Sequence, residues 1–489
     1  MAAVAHSLFP LLNTLGAAIA IFAATMLLPL AVAVFESEAV LLAYETAALV
    51  TFACGGLLWL ATRRYKRELL ARDGFLLVTL IWTVLPAFAT LPLRLHMPEL
   101  SFTDAYFEAV SGLTTTGATT LSGLDSLPAS INFWRCLLQW IGGMGILVLM
   151  VAILPMLGVG GTQLFRAETA GPIKDAKLTP RITDTALGLW GVYGAISAAC
   201  FVAYWAGGMG GLDAAMHMFT TMSLGGLSSH DVSFAHFDSP LLEWIAVVFM
   251  AVASLNFALY FLVLRRRMIG VLVSDTEARC TVVVLVGAVL LVAGYLLWHG
   301  AYEEPLTALR LAAFNVVSIA STTGYASVDF SQWPTFAPWF MLLLSGVATS
   351  AGSTGAGIKM VRLIVLLKQA RREMLRALHP RVIQPLRLRD AVVENKVIYA
   401  VLAFMLMYGS TVIVLTLLLL ISGRDVVTAF SAVVACVNNM GPGLNEVGPA
   451  TTYAVLNDFE TWVCTVAMLL GRLEMMSVFV LFTPAFWRK

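Results

Sequence analysis

Charge is scarce in this chain: 12% of its 489 residues are Asp, Glu, Lys or Arg, and 59% are hydrophobic. A soluble domain carries roughly 25% charged residues, so a water-solvated globule is excluded and an integral membrane protein is expected. Cysteine is also sparse. The six (Cys54, Cys136, Cys200, Cys280, Cys436 and Cys464) are scattered and form no C-x-x-C pair. That argues against a disulfide frame or thiolate metal site, and they read as small apolar side chains. The seven histidines lack ligand spacing. No G-x-G-x-x-G follows a strand and no G-x-x-x-x-G-K-[S/T] occurs, so this chain has no organic cofactor site, and NAD or ATP control would have to come from a partner. The formal net charge of +1 supplies no bulk field for nucleic acid. Without clustered His, Asp and Glu or a nucleophile beside a base, bond-making catalysis is not expected either.

What the sequence does contain is repetition. Four helix-length apolar stretches break at a short glycine-centred loop: Thr115-Thr116-Gly117, Leu224-Gly225-Gly226, Thr322-Thr323-Gly324 and Asn439-Met440-Gly441. The central glycines are 109, 98 and 117 residues apart, and an alanine (Ala105, Ala214, Ala312, Ala429) stands 12 residues before each. A bilayer tolerates irregular backbone only where it lines a cavity or is buried in protein. Four such breaks in four similar units predict a pseudo-fourfold ring of backbone carbonyls around one axis, the construction of a cation filter. Glycine suits it because carbonyls turned toward an axis need backbone angles that a Cβ disfavours.

About 20 apolar residues cross a bilayer. On that ruler the chain has ten full spans, at about 8–34, 40–61, 74–93, 133–157, 186–206, 240–264, 280–299, 335–367, 394–421 and 457–482. Four shorter stretches (103–116, 212–224, 306–322 and 426–439) end at the glycine loops and read as re-entrant pore helices. The expected fold class is thus an all-α polytopic membrane protein, with ten transmembrane helices and four pore helices. Its units are an N-terminal helix pair (1–68) and four pore repeats (69–185, 186–279, 280–390 and 391–489). Of 30 basic residues, 22 fall in the loops after the second, fourth, sixth, eighth and tenth spans, so these loops and both termini are expected to be cytoplasmic. Acidic residues such as Asp104, Asp125, Asp213 and Asp231 fall on the other side.

The motifs Ser111–Thr120, Gly225–Asp231, Ser321–Tyr325, Asn438–Gly443 and Leu470–Glu474 resemble, over residues 40–489, the Trk/Ktr/HKT superfamily of potassium transporters, and within it the bacterial TrkH/TrkG-like membrane subunits of the Trk potassium uptake system. The resemblance implies a K⁺-selective pore in one chain. K⁺ would sit at Thr116, Gly117, Gly225, Gly226, Thr323, Gly324, Met440 and Gly441, and Gly117, Gly226, Gly324 and Gly441 would be the selectivity glycines. Leu227 and Tyr325 stand where the family leads us to expect Phe. The resemblance further implies a bacterial inner membrane location, a homodimer and a cytosolic TrkA-like (RCK) regulatory subunit that binds the nucleotide. A K⁺/H⁺ or K⁺/Na⁺ symporter is the alternative; parallel repeats and an outward filter weigh against it.

The run Ser345–Gly357, with Gly346, Gly352, Gly355 and Gly357, cannot hold a uniform helix cheaply, since each Gly costs about 1 kcal/mol relative to Ala. It predicts a helix break at membrane depth, next to Lys359. Arg472 lies mid-span, where a charge is functional by default; its partner is either Glu474 or carbonyls freed by the break. By resemblance the break and Arg472 form a gate below the filter. The seven basic residues of 368–390 suit anionic lipid and a regulator's docking.

Overall fold

The computed structural model describes residues 2–65, 70–152, 182–388 and 391–488. Lys66, Arg67, Arg166, Lys174, Lys177, Arg181, Arg389 and Lys489, part of the expected cytoplasmic charge, lie outside the described residues. Among the described residues the regular structure is helical apart from one antiparallel strand pair, Arg387–Leu388 with Ala391–Val392.

Among the described residues, six helices are long and apolar enough to cross a membrane: Leu8–Phe35, Leu41–Thr62, Arg72–His96, Ala186–Ala206, Thr276–Trp298 and Asn395–Ile421. With them runs Ala129–Ala152. The first two pack closely because Gly16 and Gly55 face each other: a Cβ on Gly16 would come within 2.7 Å of Trp59 N, and one on Gly55 within 2.8 Å of Gly16 O. Small residues give membrane helices this approach.

Two expected straight spans are corrected. The stretch 240–264 is two helices, Pro240–Ala253 and Phe257–Arg266, bent by 86°. Its hinge is Ser254-Leu255-Asn256, and the Asn256 carboxamide caps the second helix by accepting from Ala258 N at 2.9 Å. The stretch 457–482 bends by 103° after Arg472, where Glu474 (φ 55°) and Met475 (φ 45°) are left-handed. Hydropathy sums do not register a cap or a left-handed residue inside an apolar run, so both stretches read as single spans. The stretch 335–367 divides, as its glycines require, into Phe336–Leu344, an irregular segment, and Met360–Leu378.

The four short helices are where the sequence places them: Phe102–Leu113, Gly211–Met222, Pro305–Ala320 and Val426–Val437. The repeat alanines Ala105, Ala214, Ala312 and Ala429 are completely buried on them. Two start at a polar cap, Ser101 accepting from Asp104 N and Asp425 from Val427 N and Thr428 N, which satisfies backbone donors left free at a helix start.

Candidate functional site

Each short helix ends two positions before the first residue of its glycine loop, and the four exits share one backbone bond. Thr116 N donates to Ser111 O, Gly225 N to Thr220 O, Thr323 N to Ser318 O and Met440 N to Ala435 O, all at 2.8–2.9 Å. The chain then alternates in hand. Two residues before the central glycine, Thr115, Leu224, Thr322 and Asn439 have φ of 49–65°; the glycines Gly117, Gly226, Gly324 and Gly441 have φ of 73–96°. The residue between is not left-handed. Non-glycine residues with positive φ are uncommon, and here they recur at one register in four loops.

The glycines close a cycle. A Cβ on Gly117 would land on Gly225 O, one on Gly226 on Thr323 O, and one on Gly324 on Met440 O. A Cβ on Gly441 would come within 2.9 Å of Thr116 O. Each glycine therefore leans on the next unit's carbonyl, in chain order, and the fourth returns to the first. All four glycines line one open depression of about 610 Å³, mouth included, together with Ala118, Leu227, Pro442 and Tyr453. The carbonyl ends of four helix dipoles terminate at this ring, a favourable setting for a cation.

Side chains hold the loops. Thr114 and Thr116 share a hydroxyl bond at 2.7 Å, as do Ser321 and Thr323. Asn439 ties loop four to loop one through Thr116 Oγ1 at 2.8 Å. Tyr325 does more than fill space: its hydroxyl bonds Thr220 and Thr221 and donates to His217 O. Arg135 and Glu108 form an ion pair at 2.7 Å, each 1% exposed. The sequence reading missed this pair because a charge inside an apolar run does not name its partner.

At the rim His230 pairs with Asp125 and lies 3.4 Å from Asp213. Burial pulls the His230 imidazole down, but the hydrogen bonds and charges of Asp213 and Asp125 outweigh it and hold the pKa above the ordinary histidine range. The His230 hydrogen bond holds Asp125 below the usual carboxylate range.

The segment Ser345–Lys359 is tethered to its neighbours. Gly352 O accepts from Phe257 N, Thr354 Oγ1 donates to Met222 O, and Ser350 N donates to Ser254 O. Asn438 Nδ2 donates to Ser345 Oγ at 2.8 Å, and Ala356 N to Thr322 Oγ1 at 3.4 Å. Glu277 Oε1 accepts from Ala351 N and Val361 N, clamping both sides of the segment. Gly346 O accepts from Ile358 N at 2.6 Å, so the segment folds back on itself; Gly352 and Gly357 are left-handed, and a Cβ on Gly355 would meet Thr349 Cγ2 at 2.7 Å. Lys359 (φ 75°) is buried at the start of the next helix. Arg472, 2% exposed, takes carbonyl partners: Nη1 donates to Thr354 O at 2.8 Å and Nη2 to Gly142 O at 3.3 Å. Glu474 pairs instead with Arg362 at 2.6 Å.

Comparison with known proteins agrees with this architecture. The family model for TrkH, described as a cation transport protein, matches residues 43–489. The Trk system potassium uptake proteins TrkH of Salmonella typhimurium and of Vibrio parahaemolyticus are each 43% identical to the chain, covering 97% and 98% of it and 98% and 99% of themselves. TrkG of Escherichia coli is 37% identical, with 96% of each chain covered. The crystal structure of the potassium transporter TrkH from Vibrio parahaemolyticus superposes with a TM-score of 0.90 at 41% identity, over 98% of this chain and 99% of that one. Together with its many apolar helices, these matches establish a multi-pass membrane protein. The chain belongs to the TrkH family of cation transport proteins.

Proposed function

We propose that this chain takes up K⁺ across the bacterial inner membrane through a gated pore whose filter is the ring of Gly117, Gly226, Gly324 and Gly441. One observation carries the reading: these glycines line a single cavity and interlock in a closed cycle with carbonyls from all four units. The carbonyls of Thr116, Gly225, Thr323 and Met440, and those of the glycines, replace the ion's water. The names of the relatives support K⁺ as the cargo. The segment Ser345–Lys359 with Arg472 is the gate, a cationic knot below the filter that must move for ions to pass. The basic loops face the cytoplasm, where the helix Met360–Leu378 and its following residues offer a docking surface for a nucleotide-binding regulatory ring, and two copies of the chain form the working assembly.

Uptake of radioactive Rb⁺ into proteoliposomes of the purified chain tests this, with K⁺, Na⁺ and proton gradients varied in turn. Uptake competed by K⁺ but not Na⁺, following the K⁺ gradient alone, is the expected result. Uptake that stops without a proton or sodium gradient would replace the passive pore with a symporter.

A further inference from the structure

The second corner of the ring is built unlike the others. In loops one and three the residue before the central glycine is a threonine, Thr116 or Thr323, whose hydroxyl is bonded to a neighbouring hydroxyl. In loop two that residue is Gly225. Its φ is not left-handed, so conformation does not demand glycine. Space does. A Cβ at this position would land on the side-chain carboxamide of Gln139, with Nε2 2.7 Å away.

Gln139 comes from the helix Ala129–Ala152 of the preceding unit and is completely buried. Its Nε2 donates to Gly225 O at 2.7 Å, and its Oε1 accepts from Leu227 N at 3.1 Å. A backbone N–H can donate only to the oxygen, so the second bond fixes which way the amide faces. Gln139 does not act alone on this helix. Asn132 Nδ2 reaches Ser229 O at 3.4 Å and Arg135 Nη1 reaches Ser228 O at 3.2 Å. Positions 132, 135 and 139 lie at the spacing of one helix face. They meet loop two at successive levels from the rim to the ring.

We infer that Gln139 is a positioning residue for ion selectivity: it supplies from outside the loop the polar support that threonine supplies within loops one and three, and it sets the direction of the Gly225 carbonyl. Among the described residues, no hydrogen bond is made to the corresponding carbonyls of Thr116, Thr323 and Met440. One corner in four is thus held from behind, and the size of the cage at this level depends on that bond. The inference rests on the reading of the ring as a K⁺ filter.

The test compares K⁺ and Na⁺ as competitors of Rb⁺ uptake in proteoliposomes of the wild-type chain, Gln139→Leu, Gly225→Thr, and the double variant Gln139→Ala/Gly225→Thr. Gln139→Leu should retain uptake but lose roughly five- to tenfold of the preference for K⁺ over Na⁺, the size expected for one buried hydrogen bond. Gly225→Thr alone should lose uptake, because the new side chain meets Gln139. The double variant relieves that clash and places threonine where loops one and three have it, so uptake should return with the wild-type preference for K⁺; relief of the clash alone would return uptake with the reduced preference of Gln139→Leu. A wild-type chain with no K⁺ preference overturns the filter reading itself. A selective wild type together with an unchanged Gln139→Leu overturns only the role of Gln139. If Gln139→Leu gives no folded protein, the double variant decides: selective uptake supports the inference, and unselective or absent uptake overturns it.

Discussion

At Gly226 two constraints coincide: φ is +73°, and the Cβ direction is occupied by Thr323 O. Left-handed strain costs about 1–3 kcal/mol for a residue with a side chain, and the carbonyl cannot retreat without opening the ring. Gly226→Ala should therefore cut K⁺-competed Rb⁺ uptake by more than about tenfold. Gly56→Ala is the control, since a Cβ there meets nothing within 4 Å and the change, inside the helix Leu41–Thr62, should stabilise by no more than about 1 kcal/mol. Equal uptake by both variants would remove Gly226 from the proposed filter. The glycine positions were legible in the sequence because their spacing repeats. Gln139 and the Arg135–Glu108 pair were not. A polar residue in an apolar helix announces that it has a partner, but that partner can lie on a loop 86 residues away, as Gly225 does from Gln139. Leu224, left-handed at φ 54°, was equally hidden as a conformation, because local propensity assigns that region to glycine or asparagine.

Among the elements, the outer loops are tied to each other as firmly as the helices beneath them. His230 from loop two joins Asp125 from loop one and lies against Asp213, with His217, Asp231 and His236 in the same cluster. Because its folded pKa is raised, the stabilisation from charged His230 is complete below the ordinary histidine value of about 6.5. It fades as pH climbs through the higher folded value. The melting temperature of the purified chain should accordingly fall across that window, and His230→Gln should flatten the fall. An identical pH profile for the two proteins would mean that another group governs it. At this scale the helices were readable from hydropathy and the glycine breaks, including all four short ones. The bends at Ser254–Asn256 and Leu473–Met475 were not, because a single capping asparagine or two left-handed residues barely alter the mean hydropathy of a 25-residue stretch.

The whole molecule places Arg472 at a junction. The side chain ends the helix Asp458–Arg472 and donates to Gly142 on the helix Ala129–Ala152 and to Thr354 in the segment Ser345–Lys359, so one guanidinium pins the proposed gate across the bundle. Charge-assisted hydrogen bonds of this kind contribute about 1.5–3 kcal/mol each. Removing them releases the Thr354 carbonyl without touching the glycine ring, and Arg472→Ala should raise K⁺ flux in the absence of any regulatory partner. Flux that is unchanged or lost at normal expression would show that Arg472 does not hold a gate.

Hydropathy and the fourfold spacing of glycines were enough, from the sequence alone, to determine a helical membrane protein with four short helices that each lead into a glycine loop, because these properties act within a window of a few turns. Only the tertiary structure decided the order in which the loops interlock, with Gly117 on Gly225, Gly226 on Thr323, Gly324 on Met440 and Gly441 on Thr116. It also decided that Arg472 takes two carbonyls while Glu474 takes Arg362. The physical reason is common to both. Which carbonyl a glycine approaches, or a buried guanidinium reaches, depends on how helices far apart in the chain pack together.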